Sequence, residues 1–172
     1  LVDVDPNTFN LNLEALATRI GSKTKAIIPV HLFGQAMDME PLMDLAKANN
    51  LFVVENNAQA IGANYTFSSG EKQKTGTIGD IGTTSFFPSK NLGCFGDGGA
   101  LFTNNDEVAH SLRCIVNHGM YRGYHYDVVG VYSRLEALQA AVLDTILPYI
   151  DFYSERRKMA ATLYTERLQE AP

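Results

Sequence analysis

The chain has 172 residues, 45% hydrophobic and 19% charged, with a formal net charge of −5 from 14 basic and 19 acidic residues. That length supports a buried core, and the composition excludes an intrinsically disordered chain. The densest basic cluster is only Arg156-Arg157-Lys158, so the electrostatic footprint of a nucleic-acid binder is missing.

Leu1 to Val4 alternates apolar and polar residues, a short strand pattern closed by Asp5-Pro6-Asn7. Leu13, Leu16, Ala17 and Ile20 share one helix face in the segment Asn12 to Ile20. Lys25 to His31 reads as a buried strand with Pro29 near its end. Asp38 is placed to cap a helix with Pro41 in its first turn and Leu42, Leu45 and Ala46 as its inner stripe. Leu51 to Val54 and Ile81 to Phe87 are further buried strands, and Ala100 to Thr103 follows the turn Gly96-Asp97-Gly98-Gly99. Asn105 is expected to cap a helix over Asp106 to Val116, and helical patterns cover Ser133 to Leu147 and Tyr149 to Glu170. Helices between the early strands predict an α/β layer fold with a mainly parallel sheet flanked by helices. In such sheets ligands bind beyond the carboxyl ends of the strands, where Glu55 to Gln59 and Ser89 to Gly93 fall.

Cys94 and Cys114 match neither a disulfide framework nor a metal site, and read as reduced thiols of a cytoplasmic protein. No metal is expected. No apolar stretch approaches the ~20 residues needed to cross a bilayer, and no signal-peptide pattern opens the chain. The chain starts at Leu1 on a strand pattern and stops at Pro172 after a helical one, so it is expected to be an internal piece of a longer protein.

Lys90 follows the strand ending Ser85-Phe86-Phe87 and is flanked by apolar residues, a setting that favours partial desolvation. Desolvation lowers an amine's pKa and makes it a better nucleophile toward carbonyls. From position alone it is either such an amine or a solvated loop lysine, as most lysines are. Ser85 and Ser89 are hydroxyls suited to a phosphate, or to local backbone bonds. Asn56, Asn57 and Gln59 are amides at a strand end, able to bond a polar ring edge or to serve as turn residues. His31 reads as a packed, satisfied histidine. His118 and His125 lie in a Gly- and Tyr-rich segment, either a substrate loop or a simple connection. Arg156 to Lys158 reads as a solvated helix face in preference to a phosphate-binding patch. No nucleophile elbow, P-loop or dinucleotide fingerprint is present.

The string Ser85-Phe-Phe-Pro-Ser-Lys-Asn-Leu-Gly93, followed by Gly96-Asp-Gly-Gly99, resembles the cofactor-lysine signature of the DegT/DnrJ/StrS sugar aminotransferases. Three further strings resemble that family in the same order: Ala26 to Gln35, Val53 to Ala63, and Ser133 to Ala141. The resemblance implies the large-domain portion of the pyridoxal-phosphate aminotransferase fold, fold type I. Residues 1–147 would be part of the cofactor domain, with 148–172 leading toward a smaller C-terminal domain. It implies that Lys90 forms the internal Schiff base with pyridoxal 5'-phosphate and shuttles a proton. Ser85 would bind the cofactor phosphate and Gln59 the ring's phenolic oxygen. The implied reaction moves an amino group from glutamate to a keto-deoxyhexose carried on a nucleotide, for amino-sugar and surface-polysaccharide synthesis. The strings Asn57 to Gly62 and Gly82 to Thr84 look most like enzymes acting on dTDP-3-keto-6-deoxyhexoses. A homodimer with shared active sites is implied, without a nucleic-acid or membrane partner.

Two residues depart from the family pattern. Asn56 stands where an aspartate usually pairs with the pyridine nitrogen, and a neutral amide gives that nitrogen no charge stabilisation. Tyr132 stands where an asparagine usually reaches the phosphate of the neighbouring subunit's cofactor; its hydroxyl is a donor too, bulkier and of different reach, so the resemblance implies that Tyr132 lies near the partner's cofactor. These departures favour an alternative: a catalytically impaired pseudo-enzyme kept as a binding or regulatory module.

Overall fold

The computed structural model describes residues 1–169. Asp5 Oδ1 accepts the backbone N–H groups of Asn7 and Thr8, at 2.8 and 3.0 Å, and turns the chain at once. The strand expected over Leu1 to Val4 is therefore reduced to one antiparallel bridge between Val4 and Leu11. Asn12 Oδ1 accepts the N–H of Ala15 at 2.9 Å and starts α1 (Leu13–Arg19). β1 (Ala26–Ile27) stops short because Pro29 has no N–H to give the ladder, and pairing resumes only at the bridge from Val30 to Asn56. Asp38 precedes α2 (Met39–Ala48) without capping it, because its carboxylate accepts the Tyr65 hydroxyl at 2.6 Å. β2 (Phe52–Asn56) follows.

The hairpin of β3 (Asn64–Thr66) and β4 (Lys72–Lys74) carries no apolar alternation, and sequence reading misses it. β5 (Ile81–Ser85) and β6 (Gly99–Phe102) flank the Lys90 loop. Asn105 caps α3 (Asp106–Ile115) as expected, accepting from Glu107 and Val108. A small hairpin of β7 (Met120–Arg122) and β8 (His125–Tyr126) comes next. The following helix, α4 (Ala137–Ile146), begins later than expected. Val131 and Ser133 donate to the carbonyls of Ile115 and Val116, which keeps that stretch extended. A single 3-10 turn then leads into α5 (Ile150–Leu168); Glu170, the expected end of that pattern, and the last two residues lie outside the described residues.

The main sheet runs β1-β2-β5-β6, with β1, β2 and β5 parallel and β6 antiparallel on the edge. Leu16, Ile27, Met37, Met39, Leu42, Ala46 and Val53 form the larger core where α1 and α2 meet the sheet. Burying each of the larger of these side chains stabilises by about 1.5–3 kcal/mol. A second cluster of Phe86, Leu92, Cys94 and Leu143 packs under the loop after β5. Cys94 and Cys114 are both free and buried. Among the described residues no helix is long and apolar enough to cross a membrane.

Candidate active site: the Lys90 cleft

The loop from Ser85 to Cys94 is closed on itself. Phe86 donates to Gly98 at 2.8 Å, the Cys94 N–H returns to the Phe86 carbonyl at 2.8 Å, and Lys90 donates its backbone N–H to Phe87 at 2.9 Å. Gly93 makes this closure possible, since a Cβ there would stand 2.6 Å from the Pro88 oxygen. Gln139 on α4 pins the far side by accepting the Phe95 N–H at 2.8 Å. That role is invisible in the sequence, although Gln139 lies inside a family-like string.

The loop presents Lys90, half-buried, to a cleft of about 650 Å³. Gln59, Ser89 and Asn91 share this cleft, with Gly34 opposite and Arg157 and Lys158 of α5 also on its wall. Arg157 and Lys158 are exposed, as the sequence suggests, yet they border the site. Among the described residues no carboxylate pairs with Lys90.

Three amide or hydroxyl groups have their orientation fixed by the backbone. Gln59 Oε1 accepts the N–H of Phe33 at 2.8 Å, so its NH2 end is the free one. Asn56 Oδ1 accepts the N–H of Ala58 at 3.1 Å, which likewise leaves an NH2 to donate. Ser85 Oγ accepts the N–H of Phe87 at 3.2 Å and keeps its own hydrogen for another acceptor. Ser85 and Asn56 lie at the carboxyl ends of the adjacent strands β5 and β2 but do not line the Lys90 cleft. Tyr132 stands apart, 52% exposed and stacked on His118.

The residue next to Asn56 faces the other way. Glu55 is fully buried, and its carboxylate accepts the N–H groups of Gly76, Ile78 and Gly79 at 2.8, 2.7 and 2.6 Å and His31 Nε2–H at 2.9 Å. Burial pushes this carboxyl upward, but His31 and the N–H groups of Gly79, Gly76 and Ile78 outweigh it and hold it below the ordinary glutamate range. His31 is satisfied at both ring nitrogens, because Nδ1 accepts the Met37 N–H at 3.0 Å. It is the packed histidine its context suggests. Gly82 lets the 75–79 loop lie this close, as a Cβ there would overlap the Gly76 carbonyl. A larger concavity, about 1010 Å³, lies elsewhere, between β6 and α3, among Leu101, Leu112, Val116 and Leu135.

The sequence matches the DegT/DnrJ/EryC1/StrS aminotransferase family over residues 1–172. The chain belongs to that family. As a family member it is 46% identical over 170 residues to a protein of Geobacillus stearothermophilus named a pleiotropic regulatory protein, covering 99% of this chain and 44% of that protein. It is 45% identical over 164 residues to the UDP-2-acetamido-2-deoxy-3-oxo-D-glucuronate aminotransferase of Pseudomonas aeruginosa, covering 93% and 44%. The crystal structure of S. venezuelae DesV in complex with a ketimine intermediate superimposes with a TM-score of 0.92 at 38% identity, covering 99% of this chain and 45% of that one. This DegT/DnrJ/EryC1/StrS chain thus has the fold of the type I aminotransferases, and it spans about 44% of the length of the curated relatives it matches.

Proposed function

We propose that the protein carrying this chain is a pyridoxal-phosphate-dependent aminotransferase acting on a sugar nucleotide, with Lys90 as its cofactor lysine. The observation that carries the reading is that Lys90 and the free NH2 of Gln59 face one cleft of a size suited to a cofactor. The fixed orientations of Gln59, Ser85 and Asn56 supply donors of the type that a phenolic oxygen, a phosphate and a ring nitrogen accept. When bound, pyridoxal phosphate supplies an electron sink for the carbon that loses its proton.

The chain's own residues have the remaining work. Lys90 Nζ would hold the cofactor and would carry the proton at the substrate carbon. Gln59 would donate to the phenolic oxygen, and Ser85 would donate to the phosphate. Asn56 donates to the ring nitrogen without adding charge. Arg157 and Lys158 put positive charge on the cleft wall, which suits the diphosphate of a nucleotide.

Glutamate as donor and a dTDP-3-keto-6-deoxyhexose as acceptor are part of the proposal. The name of the Pseudomonas relative supports a 3-keto sugar on a nucleotide, while the dTDP choice rests on the strings Asn57 to Gly62 and Gly82 to Thr84. We place residues 1–147 in the cofactor domain and residues 148–172 on the way to a smaller one. The enzyme is a cytoplasmic homodimer with shared sites, in keeping with its free buried thiols. Asn56, together with the regulatory name of the Geobacillus relative, favours a second reading, a pseudo-enzyme with a regulatory role.

Borohydride reduction of the cofactor-loaded whole protein, followed by peptide mapping, should place the pyridoxyl group on Lys90. A label on another lysine overturns the site. Loading without amino transfer from glutamate to any nucleotide-linked keto sugar supports the pseudo-enzyme.

A further inference from the structure

We propose that the buried Glu55–His31 pair is the positioning device that aims the Gln59 amide into the Lys90 cleft. The inference rests on the proposed function and adds two residues to its site that contact neither Lys90 nor the cleft.

Glu55 is anchored by three backbone N–H groups of the 76–79 segment, a rigid seat beside β5. Its fourth bond goes to His31 Nε2–H, with both side chains fully buried. The ring's other nitrogen accepts the Met37 N–H, and a backbone N–H can only donate, so the His31 proton must sit on Nε2. His31 is thereby fixed at both ends, and its own N–H donates to the Asn56 carbonyl at 3.1 Å.

The segment that follows His31 is strained. Phe33 has φ 56° and ψ 20°, a left-handed conformation unfavourable for a residue with a side chain, and Gly34 continues it at φ 87°. The Phe33 side chain does not hold this geometry, since it is 79% exposed. Strain of this kind persists only where the surroundings over-determine it. The anchors here are His31 on one flank, through Glu55 and Met37, and the Gln35 N–H bond to Leu32 on the other. The product of the strained turn is one N–H pointed at Gln59 Oε1 from 2.8 Å. That bond decides which end of the amide the cleft sees. Without it the amide is free to rotate and to present oxygen, which would repel a phenolate.

Cofactor spectra and a mutational cycle in the whole protein test this. Gln59→Ala should weaken pyridoxal phosphate about tenfold or more, the loss expected for a hydrogen bond to a charged group, and should move the visible absorption maximum of the bound cofactor. His31→Gln should move that maximum in the same direction and weaken binding, and the double variant should be no worse than Gln59→Ala alone. Phe33→Gly keeps the N–H and relieves the strain, so its spectrum should match the parent's. If the parent loads and His31→Gln loses only thermal stability, with the parental spectrum and affinity, the inference is overturned. Additive losses in the double variant overturn it as well. The side-chain amide NMR signal of Gln59 in cofactor-free protein gives a readout independent of loading. It should be rigid in the parent and mobile in His31→Gln, and equal mobility in both refutes the device. Failure of the parent to load refutes the proposed function while this signal still decides the positioning.

Discussion

The hydroxyl of Tyr132 donates to Glu136 Oε1 of its own chain at 2.8 Å. The ring stacks on His118 with centroids 5.2 Å apart, and the Arg134 guanidinium lies 5.0 Å from its centre. All three contacts lie within its own chain, at the position where the resemblance implies a group near the partner's cofactor. Tyr132→Phe should change stability by less than about 0.5 kcal/mol, as surface substitutions do, and leave cofactor affinity unchanged. Tyr132→Asn should tighten the cofactor if the proposed dimer shares its sites. Fluorescence titration with pyridoxal phosphate measures both, and weaker binding by Tyr132→Phe would show that the hydroxyl does reach the partner's cofactor.

Asn56→Asp should speed the half-reaction with glutamate. The Ala58 N–H would still take one carboxylate oxygen, and the other would offer charge where the amide offers only a donor. Each pKa unit regained by the ring nitrogen is worth about 1.4 kcal/mol of preference for its protonated form, felt where charge develops on the cofactor. Single-turnover kinetics should show a gain of about tenfold or more, in line with one such unit. Equal rates would mean that another group holds that proton.

Asn57 carries the one buried side-chain polar atom without a hydrogen-bond partner among the described residues, its Oδ1. The residue is 2% exposed and crowds Gly76. An orphaned buried carbonyl costs about 1–3 kcal/mol, partly offset here by the packing its amide provides. Asn57→Ala should therefore stabilise the protein by about 1 kcal/mol, seen as a rise in Tm of about 2–4 °C. A fall in Tm would show that the packing of the amide outweighs its orphaned carbonyl.

Glu55 makes stability depend on acid. Its folded pKa is depressed, so its contribution is complete above the unfolded glutamate value, about 4.3, and is lost as the pH falls through the lower folded value. Denaturant unfolding of the parent and of Glu55→Gln should therefore differ most near neutrality. The gap should close as the pH drops below about 4. A gap independent of pH would assign the effect to shape rather than charge.

Periodicity reveals α1 and α2, whose apolar residues recur on one face, and continuous apolar runs reveal β1 and β2. Lys90 and Gln59 are visible through resemblance to a family, and the structure gives them a common cleft. The hairpin from Asn64 to Lys74 escapes because its strands are short and largely polar; within them Tyr65 packs on the core, and Ser68 bonds Glu40. Gln139 and Phe33 escape for another reason: each acts through a single bond to a residue 44 or 26 positions away, and local patterns carry no such distance. The Glu55 hub is half legible. A glutamate closing a buried strand demands partners, but its three N–H donors come from Gly76, Ile78 and Gly79, whose residue types announce nothing.

No residue of α5 is buried, and its first turns touch the body near Ile150 and at Ser154, beside Gly62. A helix of 19 residues is about 28 Å long. Ile150 is therefore a fulcrum and the rest of the helix a lever arm. A rigid tilt of about 10° there moves the Leu168 end by about 5 Å and Arg157 by about 2 Å. Because Arg157, Lys158 and Ala161 line the Lys90 cleft, such a tilt would change how wide it stands open.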